Sequence, residues 1–412
     1  MTETETQNTK YWFIFSLAYL IIDYARMQDV IPLLPYLRPG LIIIVILTIF
    51  FIFKGNFKDV DTKQTRMIAL FILLLCFYVP LVRNNFFAWR TFKIMLLYLP
   101  FILSIIFCVR SLDRLKKLIC VILLIMIYIS AYSLGHAGKG SGGYFFDEND
   151  LSLFINMWLP FCYFLFISEK ARLMKIVYAC AFIIGIIAVV ASFSRGGFIG
   201  LVSMFLVLWF FSPRKVLTLT VIVICACSIY YLGGQAYRDE MSTVTDTEEG
   251  TADARIRSWE TAWDMFLDNP LGVGGNNFQV RFPEYQGDRF PRGMWGRVSH
   301  SLWFTLIPET GVFGIIIYLM LLYYNIKDIF QIKKLNSSQD DPEARYLYYI
   351  SLAMLASLAG FFASATFLSV LYYPHYWYMT AIIVTAMNIS KQRRNASIAD
   401  AAESTESNLR TA

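Results

Sequence analysis

Residues 299–324 read SHSLWFTLIPETGVFGIIIYLMLLYY. From Leu302 to Tyr324 the only charged side chain is Glu309. A helix of about 20 apolar residues is long enough to cross a bilayer, so this stretch predicts a membrane span. His300, one of three histidines in the chain, stands where a long polar segment enters that span. The same pattern recurs on both sides. Hydrophobic residues make up 57% of the 412 residues and charged ones only 16%, with mean hydropathy +0.53. Soluble domains are about half apolar and about a quarter charged, so the composition predicts an all-α polytopic membrane protein.

Twelve spans are predicted, over residues 11–22, 40–53, 67–82, 91–109, 115–134, 151–168, 173–193, 196–211, 215–232, 301–324, 346–370 and 374–390. Charge supports the alternation. Lys54, Lys58, Lys63 and Arg66 share one connecting loop, and Arg110, Arg114, Lys116 and Lys117 cluster around the next loop on that side. Arg214–Lys215, Lys333–Lys334 and Arg393–Arg394 continue the series, whereas the intervening loops 23–39, 83–90 and 135–150 are poor in cations. Loops rich in Lys and Arg stay cytoplasmic, so both termini are expected inside. The chain then divides into a cytoplasmic N-terminus (1–10), nine spans (11–232), a large outer loop (233–299), three spans (300–390) and a disordered cytoplasmic tail (391–412). No cleavable signal peptide is expected. All seven cysteines fall in apolar runs, which supports neither a disulfide framework nor a cysteine metal site.

The basic residues of the large loop are all arginines, the side chain suited to planar, bidentate contact with phosphate or carboxylate. Most are expected to pair with the loop's own Asp and Glu residues. Within it, residues 253–267 predict an amphipathic helix capped by Asp253 and ended by Asn269-Pro270-Leu271-Gly272. Ile256, Trp259, Ala262, Trp263, Phe266 and Leu267 fall on one arc, and Arg257, Glu260, Asp264 and Asp268 on the other. Arg257 therefore reads as an ion-pair residue that could also touch substrate. Arg255 falls inside the apolar arc, where a cation calls for an anionic partner.

Arg195 closes a long apolar run and is followed by Gly196, Gly197 and Gly200, which allow close helix approach. On the outer side it runs against the charge trend, so an anionic ligand is expected there. On an ideal helix Gly311 lies within about 20° of the His300 direction and about 16 Å deeper, with Gly314 alongside. That predicts a small-residue stripe beneath His300, bent by Pro308 and open to a neighbouring helix or a lipid chain. A helix N-terminus disfavours imidazolium, leaving a neutral histidine able to accept a proton. Glu309 lies on the opposite face and reads as a structural pairing. His136 and His375 read as interfacial histidines, and Asp147, Glu148 and Asp150 as a solvated acidic stretch. No metal site is predicted.

Three patterns together resemble the bacterial O-antigen ligase-like superfamily. They are Ser194-Arg195-Gly196-Gly197 at a span end; Arg255-Ile256-Arg257-Ser258-Trp259 followed by Asn269-Pro270-Leu271-Gly272-Val273-Gly274 and Asn277-Phe278; and His300-Ser301 followed at fixed distance by Gly311-Val312-Phe313-Gly314. The resemblance covers roughly residues 185–320, and outside it Met27 stands in Arg26-Met27-Gln28-Asp29 where the pattern has proline. It implies a glycosyltransferase C-type fold in the bacterial inner membrane. The implied activity is inverting transfer of a glycan from an undecaprenyl diphosphate carrier to an acceptor hydroxyl on the periplasmic face, in lipopolysaccharide or exopolysaccharide synthesis, without metal or other cofactor. Arg195, Arg255 and His300 are the implied catalytic residues, with Arg257, Gly311 and Gly314 as substrate contacts. Lipid A core, a growing polysaccharide or a protein hydroxyl are the candidate acceptors, and nucleic acid is not among the expected partners. Two other readings stay open, a transporter of lipid-linked sugars and a non-enzymatic scaffold.

Overall fold

The computed structural model describes residues 3–31, 34–232, 234–235, 237–238, 250–290, 293–338 and 341–411. Among the described residues there is no strand. Every predicted span overlaps a helix, although 67–82 and 346–370 run past the ends of theirs. The helices are α1 (Glu3–Ala25), α2 (Met27–Val30), α3 (Leu34–Leu37), α4 (Pro39–Lys54), α5 (Phe57–Val60), α6 (Lys63–Tyr78), α7 (Asn85–Cys108), α8 (Leu112–Leu134) and α9 (Glu148–Ser168). They continue with α10 (Arg172–Ala191), α11 (Arg195–Phe211), α12 (Lys215–Leu232), α13 (Gly250–Asp268), α14 (Phe278–Tyr285), α15 (Leu302–Leu335), α16 (Pro342–Ala365) and α17 (Pro374–Thr411).

Among the described residues, seven helices are long and apolar enough to cross a membrane: Pro35–Lys54, which joins α3 to α4, and α7, α8, α9, α10, α15 and α16. α11 and Lys215–Tyr231 are apolar but shorter. Short polar residues start the helices. Thr62, Asn84, Ser111, Ser194 and Asp341 each accept a hydrogen bond from a first-turn amide, satisfying groups that have no partner inside the helix.

The centre of the bundle is α9, in which every residue from Leu151 to Leu165 is buried. A helix apolar on all sides belongs in the middle of its fold. It packs on α16, α10 and α11, and small or polar side chains draw these helices together. Asn156 Nδ2 donates to Gly197 O (2.7 Å), Ser152 and Ser192 share a hydroxyl hydrogen bond (2.7 Å), and Ser357 Oγ bonds Met157 O. On the periphery, Ile42, Phe53, Leu73, Ile183, Leu206 and Val223 are exposed, faces suited to lipid.

Polar contacts sort into the two ends of the bundle. At one end Gln64 bonds Asp328 (2.7 Å), Arg110 pairs with Asp59 (2.6 Å) and Arg393 pairs with Asp341. At the other, Ser141 Oγ donates to Ala25 O (3.1 Å), Ser194 Oγ to Asn149 Oδ1 (2.7 Å) and Tyr373 Oη to Asp150 (3.2 Å). The large loop folds down onto this second end.

One expectation is corrected. The tail 391–412 was expected to be disordered, but α17 continues as a helix to Thr411. A helix already nucleated by a packed segment extends at little cost through residues of good helix propensity, and Ala, Glu and Arg abound here.

Candidate active site

Three chain segments far apart in sequence meet at the loop-bearing end. The first is the start of α11. Ser194 caps that helix, its Oγ accepting from Gly197 N (2.8 Å) while donating to Asn149 at the start of α9. The capped turn, with Phe193 in the left-handed region (φ 53°), fixes Arg195 as the first residue of α11.

The second segment is α13, which presents Arg255 half-buried. Its orientation is set by two contacts to the third segment, 297–304. Trp259 Nε1 donates to Ser299 O (2.9 Å), and its ring stacks on Phe304 with centroids 5.2 Å apart. Arg297 bonds back to α13, its Nε donating to Ser258 Oγ (2.7 Å) and its Nη2 to Ala254 O (2.8 Å). His300 follows, in the left-handed conformation (φ 49°). Histidine is among the side chains found there more often than most, although the conformation still costs about 1 kcal/mol or more. The flanking serines hold it: Ser299 Oγ bonds Thr305 Oγ1 (2.8 Å), and Ser301 caps α15.

The meeting has electrostatic consequences. Partial burial, then the neighbouring Arg195, lower the pKa of Arg255, with Asp147 opposing. Burial of part of the His300 ring pushes its pKa below the ordinary 6.5; Arg255 and Arg297 push the same way, and Asp147 opposes. His300 as a whole remains exposed. The cluster therefore favours a neutral imidazole and an incoming anion. Arg297 was not singled out from the sequence, since a loop arginine carries no periodicity. Its nearness to His300 was the one available signal.

Arg257 pairs with Asp253 (2.7 Å) and also donates to Arg289 O (2.9 Å). Arg281 pairs with Glu284, and Arg289 with Glu260 and Asp264, so much of the loop's charge is internally balanced. His136 stacks on Tyr132, and His375 lies buried with its Nδ1 bonded to Tyr24 Oη (3.1 Å); neither joins the cluster. Asp147 is exposed, and its carboxylate caps α9.

Three details differ from the helical-wheel reading. First, α13 begins at Gly250, so Asp253 is not its cap but lies in its first turn. Second, the buried strip of α13 is Ser258, Thr261, Ala262 and Met265, while Ile256, Trp263 and Leu267 are exposed. Ala262 and Met265 cluster with Phe278 and Phe282 of α14. The bulky residues of α13 remain as an outer apolar edge, suited to a bilayer interface.

Third, His300 precedes α15 and no glycine stripe continues beneath it. α15 is broken at Gly311 (φ 59°, ψ −165°). The break frees the Pro308 and Glu309 carbonyls and the Val312 amide, and the opened turn bonds the loop instead. Val273 N donates to Pro308 O (2.8 Å), Gly274 N to Glu309 O (2.8 Å), and Val312 N to Pro270 O (2.9 Å). A Cβ on Gly311 would lie 2.3 Å from the Leu271 carbonyl carbon, and one on Gly272 would lie 2.8 Å from Gly311 N. Both positions have positive φ, so both need glycine for shape and for space. Gly314 packs against Thr310. These glycines build the frame of the site and lie against protein backbone and side chain.

Glu309 is the pin of this clasp. Its buried carboxylate accepts from Asn276 N (2.8 Å), Phe278 N (3.3 Å) and Tyr372 Oη (2.7 Å), the structural pairing expected of it. Glu309→Leu strands two amides and a hydroxyl, and is expected to destabilise the fold by about 3 kcal/mol or more. Thermal unfolding of the detergent-solubilised protein measures this, and an unchanged midpoint would contradict the pinning role.

No curated protein matches the chain. Residues 180–319 match the family model described as O-antigen ligase. That segment carries Arg195, Arg255, Arg297 and His300 together with most of the clasp that holds them in register, and over it the chain is similar to the O-antigen ligases.

Proposed function

We propose that the protein transfers a glycan from an undecaprenyl-diphosphate-linked donor to an acceptor hydroxyl, on the periplasmic face of the bacterial inner membrane. The observation that carries this reading is the convergence of Arg195 and Arg255 beside His300, with loss of hydration and like-charge neighbours acting on both Arg255 and His300. In the proposed step the acceptor oxygen attacks the anomeric carbon, and the bond from that carbon to the diphosphate oxygen breaks with inversion. The leaving diphosphate gains negative charge as the bond lengthens. Fixed cations aimed at it lower the barrier, and no metal is needed for that role. His300 orients the acceptor hydroxyl and takes its proton.

The family supports glycan ligase or polymerase chemistry in general. Within it we favour the ligase reading, since the family model is that of the O-antigen ligases. A polysaccharide polymerase and a protein O-glycosylation ligase are the alternatives. Deleting the gene separates them: loss of the polymer ladder from lipopolysaccharide is expected, while shortened chains or an unglycosylated protein would redirect the acceptor. Translocation of lipid-linked sugar without covalent transfer would favour the transporter reading.

A further inference from the structure

A polar cavity lies at the same end of the bundle, apart from the arginine–histidine cluster. Its volume is about 400 Å³, and it opens between the end of α1, the start of α4 and the first half of α7. Asp23, Arg26, Gln28, Tyr98 and Tyr144 give it a polar side, and Leu41 and Leu97 contribute an apolar wall. Three features mark it as a built site. Arg26 takes the left-handed conformation (φ 50°), and its guanidinium lies over the Tyr144 ring, 4.6 Å from the centroid. Tyr98 Oη bonds Tyr144 Oη (3.2 Å) and donates to Tyr372 O (3.1 Å), so the aromatic side is held in place. Among the described residues, neither Arg26 Nε nor Gln28 Oε1 has a hydrogen-bond partner, although both atoms are buried.

We propose that this cavity binds a sugar ring of the glycan acceptor, an assignment that rests on the transferase reading. Buried polar atoms without partners are costly and call for a ligand that supplies them. Guanidinium donors need acceptors, whereas Gln28 Oε1 needs a donor, and the Asp23 carboxylate, which accepts from Tyr378 Oη (3.2 Å), has room for another. A sugar hydroxyl does both. A phosphate does not: Arg38 lines the cavity with Arg26, but a phosphate offers acceptors alone and would leave Gln28 Oε1 without a donor beside the Asp23 carboxylate. Tyrosine faces beside apolar residues suit the C–H face of a pyranose. Segment 139–147 links the two sites: Tyr144 lines the cavity, and three residues on Asp147 acts on both Arg255 and His300. A chain held by one sugar here is thus bound beside the segment that borders the reacting centre.

Saturation-transfer NMR on the full chain in nanodiscs tests this, with the cell's own surface glycan, released by mild acid and free of lipid, as the probe. Saturation of glycan protons is expected with the wild type and with His300→Ala. Arg26→Ala and Gln28→Ala are expected to weaken binding about tenfold, the effect of one lost charged or buried hydrogen bond. Gln28→Ala sits on a short peripheral helix and guards against an Arg26 variant that fails to fold. Signal untouched by both substitutions, or absent from the wild type, overturns the proposal. Displacement of the glycan by inorganic phosphate or by phosphatidylglycerol also overturns it, making the cavity an anion or lipid headgroup site. Failure of the transferase reading is seen separately, as unaltered surface glycan in cells carrying His300→Ala.

Discussion

His300→Ala, expressed at wild-type level, is expected to lower glycan transfer in a membrane assay by about 10²–10⁴-fold, the range for loss of a general base. The loss should fall on turnover rather than on donor binding, because the diphosphate is assigned to the arginines. The pH profile carries the finer test. A base works when unprotonated, and burial together with Arg255 and Arg297 holds the His300 pKa below the ordinary 6.5. Activity should therefore persist below pH 6.5 and decline only as the pH falls through the lowered value. Removing a cationic neighbour moves that acid limb upward, so residual activity in Arg255→Ala should fade at higher pH than in the wild type. Wild-type transfer by His300→Ala, or an acid limb at or above 6.5 in the wild type, would sink the assignment.

Arg255→Ala is the second large effect, expected to cost about 10²–10³ in rate, as for other preorganised groups that stabilise a leaving charge. Arg255→Lys keeps the charge but loses the planar fork, so only part of the rate should return. The contrast with Arg257, two residues along, makes this specific. Arg257 is occupied by Asp253 on the exposed side of α13, and Arg257→Ala should leave transfer close to wild type. Exposed pairs of this kind contribute little, about 1 kcal/mol at most. Equal losses at the two positions would mean that α13 needs its charges for folding rather than for chemistry.

The membrane architecture was legible because bilayer thickness writes itself into composition: a run such as 301–324 has few other readings. Arg195, Arg255 and His300 could be brought to one side by counting spans and charges, with no coordinates at all. The break in α15 could not. Pro308 warns of a bend, but only the packed fold shows that the break at Gly311 leaves the Pro308 and Glu309 carbonyls to the amides of Val273 and Gly274. A wheel drawn through such a break projects His300 onto Gly311 along an axis that does not exist. The buried strip of α13 escaped for a related reason. Periodicity ranks faces by apolarity, while Phe278 and Phe282 chose the face that lets helices come close. Arg297 was hidden because its role lies in two hydrogen bonds to another segment, which no local pattern encodes.

The clasp around Glu309 also dictates an order of assembly. During synthesis α13 and the Asn269–Phe278 turn emerge before the carbonyls they bind, and well before Tyr372 supplies the hydroxyl that completes the carboxylate's partners. Arg195 is in the membrane early, yet Arg255 has no fixed address until α15 has been inserted and opened at Gly311. A nascent chain arrested within the loop therefore holds its cations but no organised centre. Only a polypeptide elongated past Tyr372 can close the clasp, so competence arrives in one late step rather than accumulating with each inserted helix.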